Sequence, residues 1–115
     1  MRSLDTAWER ANILNDWRKW SVKIREAADE TLSSDLLDVY VFGSVATGRL
    51  VASSDVDILI VAKNLPKSVI RRTDIKERII GKAGLPLIHP FEIHLADEDE
   101  AKIYFKHIRG NFIKL

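Results

Sequence analysis

The sequence predicts one α/β (α+β) domain in the order α-β-α-β-α-β-α, with a short three-stranded sheet covered by helices. Three observations carry this. The 115 residues, 46% of them hydrophobic, suit a single core over residues 1–115 and leave no room for a second. Segments with apolar residues three and four apart alternate with short runs rich in Val, Ile and aromatics. No repeat, low-complexity tract or linker interrupts that alternation.

From Leu4 to about Leu32, the residues Leu4, Ala7, Ala11, Leu14, Trp17, Ile24 and Ala28 keep helical spacing with no Gly or Pro, which predicts one long amphipathic helix. Trp8 and Trp20 fall off that stripe or at its edge. Core packing is the plain reading of the three tryptophans, and a partner-facing surface is the other. Leu36 to Phe42 is rich in Val and aromatics and is stopped by Gly43, so it reads as the first strand. Ser44 to about Leu50 reads as a loop or short helix. Asp55 to Ala62 is the second strand, apolar enough after Asp57 to be buried on both faces. Asn64-Leu65-Pro66 breaks it. Ser68 to Ala83 is then a helix with Ile75 and Ile79 inward and Gly84 as its stop. Pro86 and Pro90 bracket the approach to a third strand, Phe91 to Leu95. Asp97 to His107 closes the series as a helix whose acidic first turn, Asp97-Glu98-Asp99-Glu100, complements the helix dipole. That explains the acidic cluster without a metal.

Composition removes several classes of function. Charged residues are 30% of the chain and nearly cancel, leaving a formal +1, so nothing in the total points to nucleic acid or a membrane surface. The absence of cysteine excludes a disulfide framework, a thiol nucleophile and a cysteine-ligated zinc. The start, MRSLDTAWER, lacks the apolar core of a signal peptide, and no apolar run reaches a membrane span, so a soluble cytoplasmic protein is expected. The lack of glutamine beside many Ile, Lys, Arg and Glu leans towards a thermophilic source.

Chemistry concentrates in one stretch, VFGSVATGRLVASSDVDILIV, residues 41–61. Strand alternation puts Asp55 and Asp57 on one face, about 7 Å apart, where they repel unless a cation lies between them. A bare D-x-D is more often a soluble strand end. Twelve residues upstream of Asp55, Gly43 permits a tight turn and close backbone approach, and the amides after it start a helix, where anions are favoured. Ser44 adds a hydroxyl, whose plain reading is a helix cap. Together the two motifs offer an anion cradle and hard oxygen ligands, a combination suited to a metal-bound phosphate. A P-loop is excluded because Arg49-Leu50 stand where Lys and Ser or Thr are needed, and the dinucleotide fingerprint lacks its third glycine.

Gly43-Ser44, ten residues, then Asp55-Val56-Asp57 resembles the G-S-x10-D-x-D signature of the DNA polymerase beta-type nucleotidyltransferase superfamily, in particular its minimal prokaryotic members. The preceding apolar strand, Gly48 and Ser54 also match that run, and the element order fits the fold, with its mixed sheet, over essentially the whole chain. The resemblance implies a third carboxylate on a later strand. Glu92 is the only acid inside the third strand, and an edge-strand charge is its competing explanation. Asp97 is the fallback. His94 shares the face of Glu92 and is a candidate to contact substrate or to bridge the carboxylates by a hydrogen bond, although a lone histidine is more often simply accommodated in such a place. His89 and His107 have no partner at metal-ligand spacing.

By the same resemblance, the amides after Gly43, with Ser44 and Arg49, contact the phosphates of ATP or another nucleoside triphosphate. Asp55, Asp57 and Glu92 hold two Mg²⁺ ions and perform the catalysis, transferring AMP to an acceptor hydroxyl with loss of pyrophosphate. Arg49 also has the plain reading of an exposed arginine. Many relatives carry a basic residue after Gly-Ser, and here it is Val45. Members of this size resemble the antitoxin half of a toxin-antitoxin module whose partner is an all-helical HEPN-domain ribonuclease toxin, silenced by binding and by AMP transfer to a tyrosine. Lys67, Arg71, Arg72, Lys76, Arg78 and Lys82, against only Asp74 and Glu77, give one helix a basic face for an acidic partner or simply for solvent. The alternative of another class is a binding module of the same fold, in a homo- or hetero-oligomer, that neutralises a partner without turnover.

Overall fold

The computed structural model describes residues 2–108 and 111–115, with side chains described from Thr6 onward among the first residues. Leu4, placed on the helix stripe above, lies outside the described side chains. Among the described residues, four helices, α1 (Arg2–Asn15), α2 (Trp17–Leu32), α3 (Val69–Ala83) and α4 (Glu98–Ile108), surround four strands, β1 (Leu36–Phe42), β2 (Val56–Ala62), β3 (Phe91–Ala96) and β4 (Ile113–Lys114).

The long first helix is in fact two. The chain turns at Asp16, whose amide reaches back to both Asn12 O at 3.2 Å and Ile13 O at 3.1 Å. Asn15 and Asp16 compete for backbone hydrogen bonds through their own side chains, which weakens a helix where they occur together. Trp17 and Ser21 lie on the buried side of α2, Ser21 returning its hydroxyl to Trp17 O at 2.7 Å. Trp8 is 72% exposed.

The sheet has four strands rather than three, in the order β3-β2-β1-β4. β1 is antiparallel to both β2 and β4, whereas β2 and β3 run parallel, joined by the crossover through α3. β4 is a two-residue edge strand too short to show a period. Ser68 caps α3, its hydroxyl accepting from Arg71 N at 3.3 Å, and Gly84 ends that helix at φ 81°. Asp97 and Glu100 form a reciprocal capping box at the start of α4, Glu100 N to Asp97 Oδ1 at 2.8 Å and Asp97 N to Glu100 Oε1 at 3.2 Å.

Two apolar layers result. On one sheet face α1, α2 and α3 cover Val39, Val41, Val56, Ile58, Ile60, Ile93 and Leu95. Full burial of Ile24, Ile58, Ile60 and Ile79 stabilises the fold by roughly 2 kcal/mol each. On the other face α4 covers a smaller cluster of Phe42, Leu59, Val61, Ala96 and Ala101, flanked by Tyr40, Tyr104, Ile108 and Phe112. Asp57, Glu92 and His94 belong by strand alternation to this second face, beyond the end of its apolar cluster.

Candidate active site

Because β1 runs against β2 and β2 runs with β3, the end of β1 and the starts of β2 and β3 meet at one end of the sheet. Asp57 has Phe42 as its register partner on one side and Glu92 on the other. Gly43 follows Phe42 directly, and its φ of 82° is a conformation that L side chains rarely adopt. A Cβ there would strike Asp57 Oδ2. The backbone at Gly43 and the Asp57 carboxylate therefore occupy adjoining space that no side chain could share.

Among the described residues, the groups able to ligate a metal that converge are Asp57, Glu92 and His94, with one donor atom from each lying within 4.8 Å of the others. His94 Nε2 is 3.1 Å from Asp57 Oδ1 and 4.0 Å from Glu92 Oε1. Its other nitrogen, Nδ1, is 3.3 Å from the Tyr104 hydroxyl. Phe42 and Tyr104 pack against the imidazole at ring distances of 5.2 and 5.6 Å. Burial, helped by Glu100 and Glu92 nearby, raises the Tyr104 phenol above its ordinary value, so it keeps its proton at neutral pH. Glu92 is exposed on β3, an edge strand, so the geometry also agrees with its plainer reading as an edge charge.

Asp55 is placed differently from the expectation that it shares a strand face with Asp57. The first ladder bond of β2 is Val56 N to Pro90 O at 2.8 Å, so Asp55 precedes the pleat and alternation does not govern it. Its carboxylate meets Arg10 on α1 at 2.9 Å. The same guanidinium donates to Ala52 O at 3.0 Å and Ser54 O at 2.9 Å, so it holds the loop as well as the acid. Arg10 was not among the residues singled out by sequence. Its signal was present, since it lies three and four residues before Ile13 and Leu14 on the buried side, where a charge requires a partner. Ser54 is buried and knits the same loop, its hydroxyl accepting from Val51 N at 2.9 Å.

The amides after Gly43 open a single 3-10 turn, Ser44–Thr47, rather than a longer helix. Ala46 N, Gly48 N and Arg49 N turn back to Gly43 O, Val45 O and Ser44 O, which leaves the Ser44 and Val45 amides at the open start of the turn. So short a turn has little macrodipole, and the anion-favouring feature reduces to those amides and the Ser44 hydroxyl. Val45 is buried in the main core. Arg49 is exposed. On α3, Arg72 is turned inward: it pairs with both oxygens of Glu100 at 2.9 and 2.8 Å and donates to Pro66 O at 2.6 Å. The basic run on that helix is correspondingly shorter for any partner.

This donor set fits a divalent cation. Two carboxylates and an imidazole face one another without an apolar side chain between them, and the cradle at Gly43 keeps Asp57 Oδ2 against backbone.

Comparisons with known proteins agree with this reading of the fold. The model of the family described as "Nucleotidyltransferase domain" matches residues 22–112. A protein of Methanocaldococcus jannaschii, provisionally named a protein adenylyltransferase, is 37% identical over 67 residues, which is 58% of this chain. The match spans 43% of that relative's own length. A crystal structure provisionally named a nucleotidyltransferase superposes with a TM-score of 0.60 at 26% identity, over 80% of this chain and 92% of that one. Another so named, from Sulfolobus solfataricus, gives 0.53 at 25% identity over 95% of this chain and 85% of that one. A toxin-antitoxin structure with AMP-PNP shares the fold, with a TM-score of 0.55 at 19% identity over 82% of this chain and 70% of that one.

Proposed function

The chain belongs to the nucleotidyltransferase domain family, and from that premise we propose that it transfers a nucleoside monophosphate, AMP from ATP, to an acceptor hydroxyl. One observation carries the proposal. The Gly43 turn and the Asp57 carboxylate interlock so closely that a Cβ cannot be added, which joins the phosphate-facing half of the motif to its acidic half.

In this reading the Ser44 and Val45 amides and the Ser44 hydroxyl receive the triphosphate, with Arg49 at the exposed end of the same loop. Asp57 and Glu92 would hold Mg²⁺, joined by Asp55 if Arg10 released it. Bound there, the cations would neutralise charge on the phosphate oxygens. Glu92, exposed at the mouth, takes the acceptor proton as the acceptor oxygen bonds to the α-phosphorus and the bond to pyrophosphate breaks. A protein acceptor is supported by the name of the M. jannaschii relative. A HEPN-class toxin as that acceptor, with this chain as its antitoxin, rests on the sequence resemblance, and the fold shared with a toxin-antitoxin structure accords with it.

The non-catalytic reading is favoured by one observation, the engagement of Asp55 by Arg10. The two are separated by incubating the protein with Mg²⁺ and labelled ATP, with and without the product of the adjacent gene. Label on the partner, lost in Asp57→Ala, is expected. No transfer, together with partner binding unchanged by Asp55→Ala and Asp57→Ala, would sink the enzyme reading.

A further inference from the structure

The ligand set that the fold assembles differs from the all-carboxylate set that the sequence motif describes. Asp55 is engaged by a guanidinium that two backbone carbonyls also hold, while His94 has taken the position facing Asp57 and Glu92. A carboxylate has in effect been exchanged for an imidazole, which lowers the negative charge of the set by one and adds a borderline nitrogen donor. We propose that Asp57, Glu92 and His94 form a site for one first-row transition-metal dication of the Mn²⁺-to-Zn²⁺ series, bound through His94 Nε2 in preference to Mg²⁺. The inference rests on the reading that this site binds a divalent cation at all.

Three features support it. The first is reach: adjacent ligand atoms around an octahedral ion of this size lie about 3 Å apart. The Asp57 to His94 gap of 3.1 Å already meets that distance, and the 4.0 Å gap to Glu92 closes by rotation of a side chain that is 61% exposed. The second is orientation. A metal-binding imidazole is held by a partner on its second nitrogen, and the Tyr104 hydroxyl supplies one at 3.3 Å. That hydroxyl both donates and accepts. It gives its hydrogen to Nδ1 while Nε2–H faces Asp57, and it accepts from Nδ1–H when Nε2 turns a lone pair towards a cation. The third is rigidity. Phe42 and Tyr104 both pack against the ring and, 6.0 Å apart, against each other, and only 21% of the side chain is exposed, so little rotamer freedom is lost on binding. Mg²⁺ prefers oxygen ligands and parts reluctantly with water, so the nitrogen helps it least.

The test uses metal-free protein titrated separately with Mn²⁺, Co²⁺ and Mg²⁺ by calorimetry, and pulsed EPR of the Mn²⁺ form. The expected result is one ion per chain, an imidazole ¹⁴N coupling on Mn²⁺, and Co²⁺ binding at least about tenfold tighter than Mg²⁺. His94→Gln should remove the coupling and weaken Co²⁺ by about 10- to 100-fold, leaving Mg²⁺ within about threefold. Tyr104→Phe, which keeps the ring packing, should retain the coupling and weaken Co²⁺ several-fold. Mn²⁺ bound without nitrogen coupling, or Co²⁺ and Mg²⁺ weakened alike by His94→Gln, overturns the inference and leaves an oxygen-ligated nucleotidyltransferase standing. No divalent cation bound by the wild type, with or without a non-hydrolysable ATP analogue, overturns both.

Discussion

Replacing Arg10 by Ala should make the protein less stable and its acidic site more attractive to cations, two effects of opposite sense from one residue. Arg10 donates to Ala52 O, Ser54 O and Asp55 Oδ1 with only 23% of its side chain exposed. Hydrogen bonds from a charged donor contribute about 1.5 kcal/mol or more each, and water recovers much of the two lost at the carbonyls. Asp55 is 62% exposed, so its ion pair adds less than about 1 kcal/mol. The net loss is about 2 kcal/mol, or roughly 8 °C in Tm for a chain of this length. For cations the sign reverses. Freeing the Asp55 charge two residues from Asp57, about 7 Å along an extended chain, attracts a dication by about 1 kcal/mol at the dielectric constant of water, and salt roughly halves that. The affinity for Mn²⁺ should therefore rise two- to sixfold in calorimetry while Tm falls. Arg10→Lys, which keeps the charge without the fork, should lose stability yet leave cation affinity near that of the wild type. If Arg10→Ala leaves both Tm and Mn²⁺ affinity unchanged, Arg10 does not hold this loop and Asp55 in solution.

Gly43→Ala should be more disruptive than its single methyl suggests, because the added carbon meets the Asp57 carboxylate at a φ of 82°. About 1–3 kcal/mol of stability should be lost with a larger proportional loss of cation binding, whereas Gly48→Ala, whose added carbon meets nothing within 4 Å, shares only the backbone strain and should spare the site. Acid should reveal the pairing of Arg72 with Glu100. The guanidinium bonds hold the Glu100 carboxyl at about 2 rather than 4.5, so their contribution is complete above 4.5 and fades as pH falls towards 2. Glu100→Gln should accordingly lower Tm at neutral pH and converge with the wild type near pH 2, and curves that stay parallel across that range would contradict the assignment.

Local signals in the chain accounted for most of the elements. Val39, Val41 and Phe42 ahead of Gly43 marked β1, Ser68 and Gly84 bounded α3, and the acids from Asp97 to Glu100 marked the start of α4. These are contests settled within a few residues, where spacing and capping chemistry suffice. What stayed hidden was decided over longer range. The turn at Asp16 lies inside a stripe whose apolar spacing continues across it, so periodicity could not see it. β4 exists only because β1 offers an edge to Ile113 and Lys114. For the site, Gly43 and Asp57 were legible in the spaced motif and Glu92 as the third carboxylate that the family resemblance implied, and the structure brings them together at one end of the sheet. The place of Asp55 was not, because Arg10 reaches it from 45 residues away and because the alternation rule fails one residue before the strand begins.

The parallel pairing of β2 with β3 bears on the order in which the molecule assembles. β1 and β2 close on each other through the short Gly43-to-Asp55 connection, whereas His94 and Asp57 are separated by 37 residues and meet only after the α3 crossover has docked. An intermediate holding only the β1–β2 pair would carry Asp57 without Glu92 or His94, and so no complete donor set. A cation taken up at the site would then act on the finished fold alone, slowing unfolding while leaving the rate of folding unchanged.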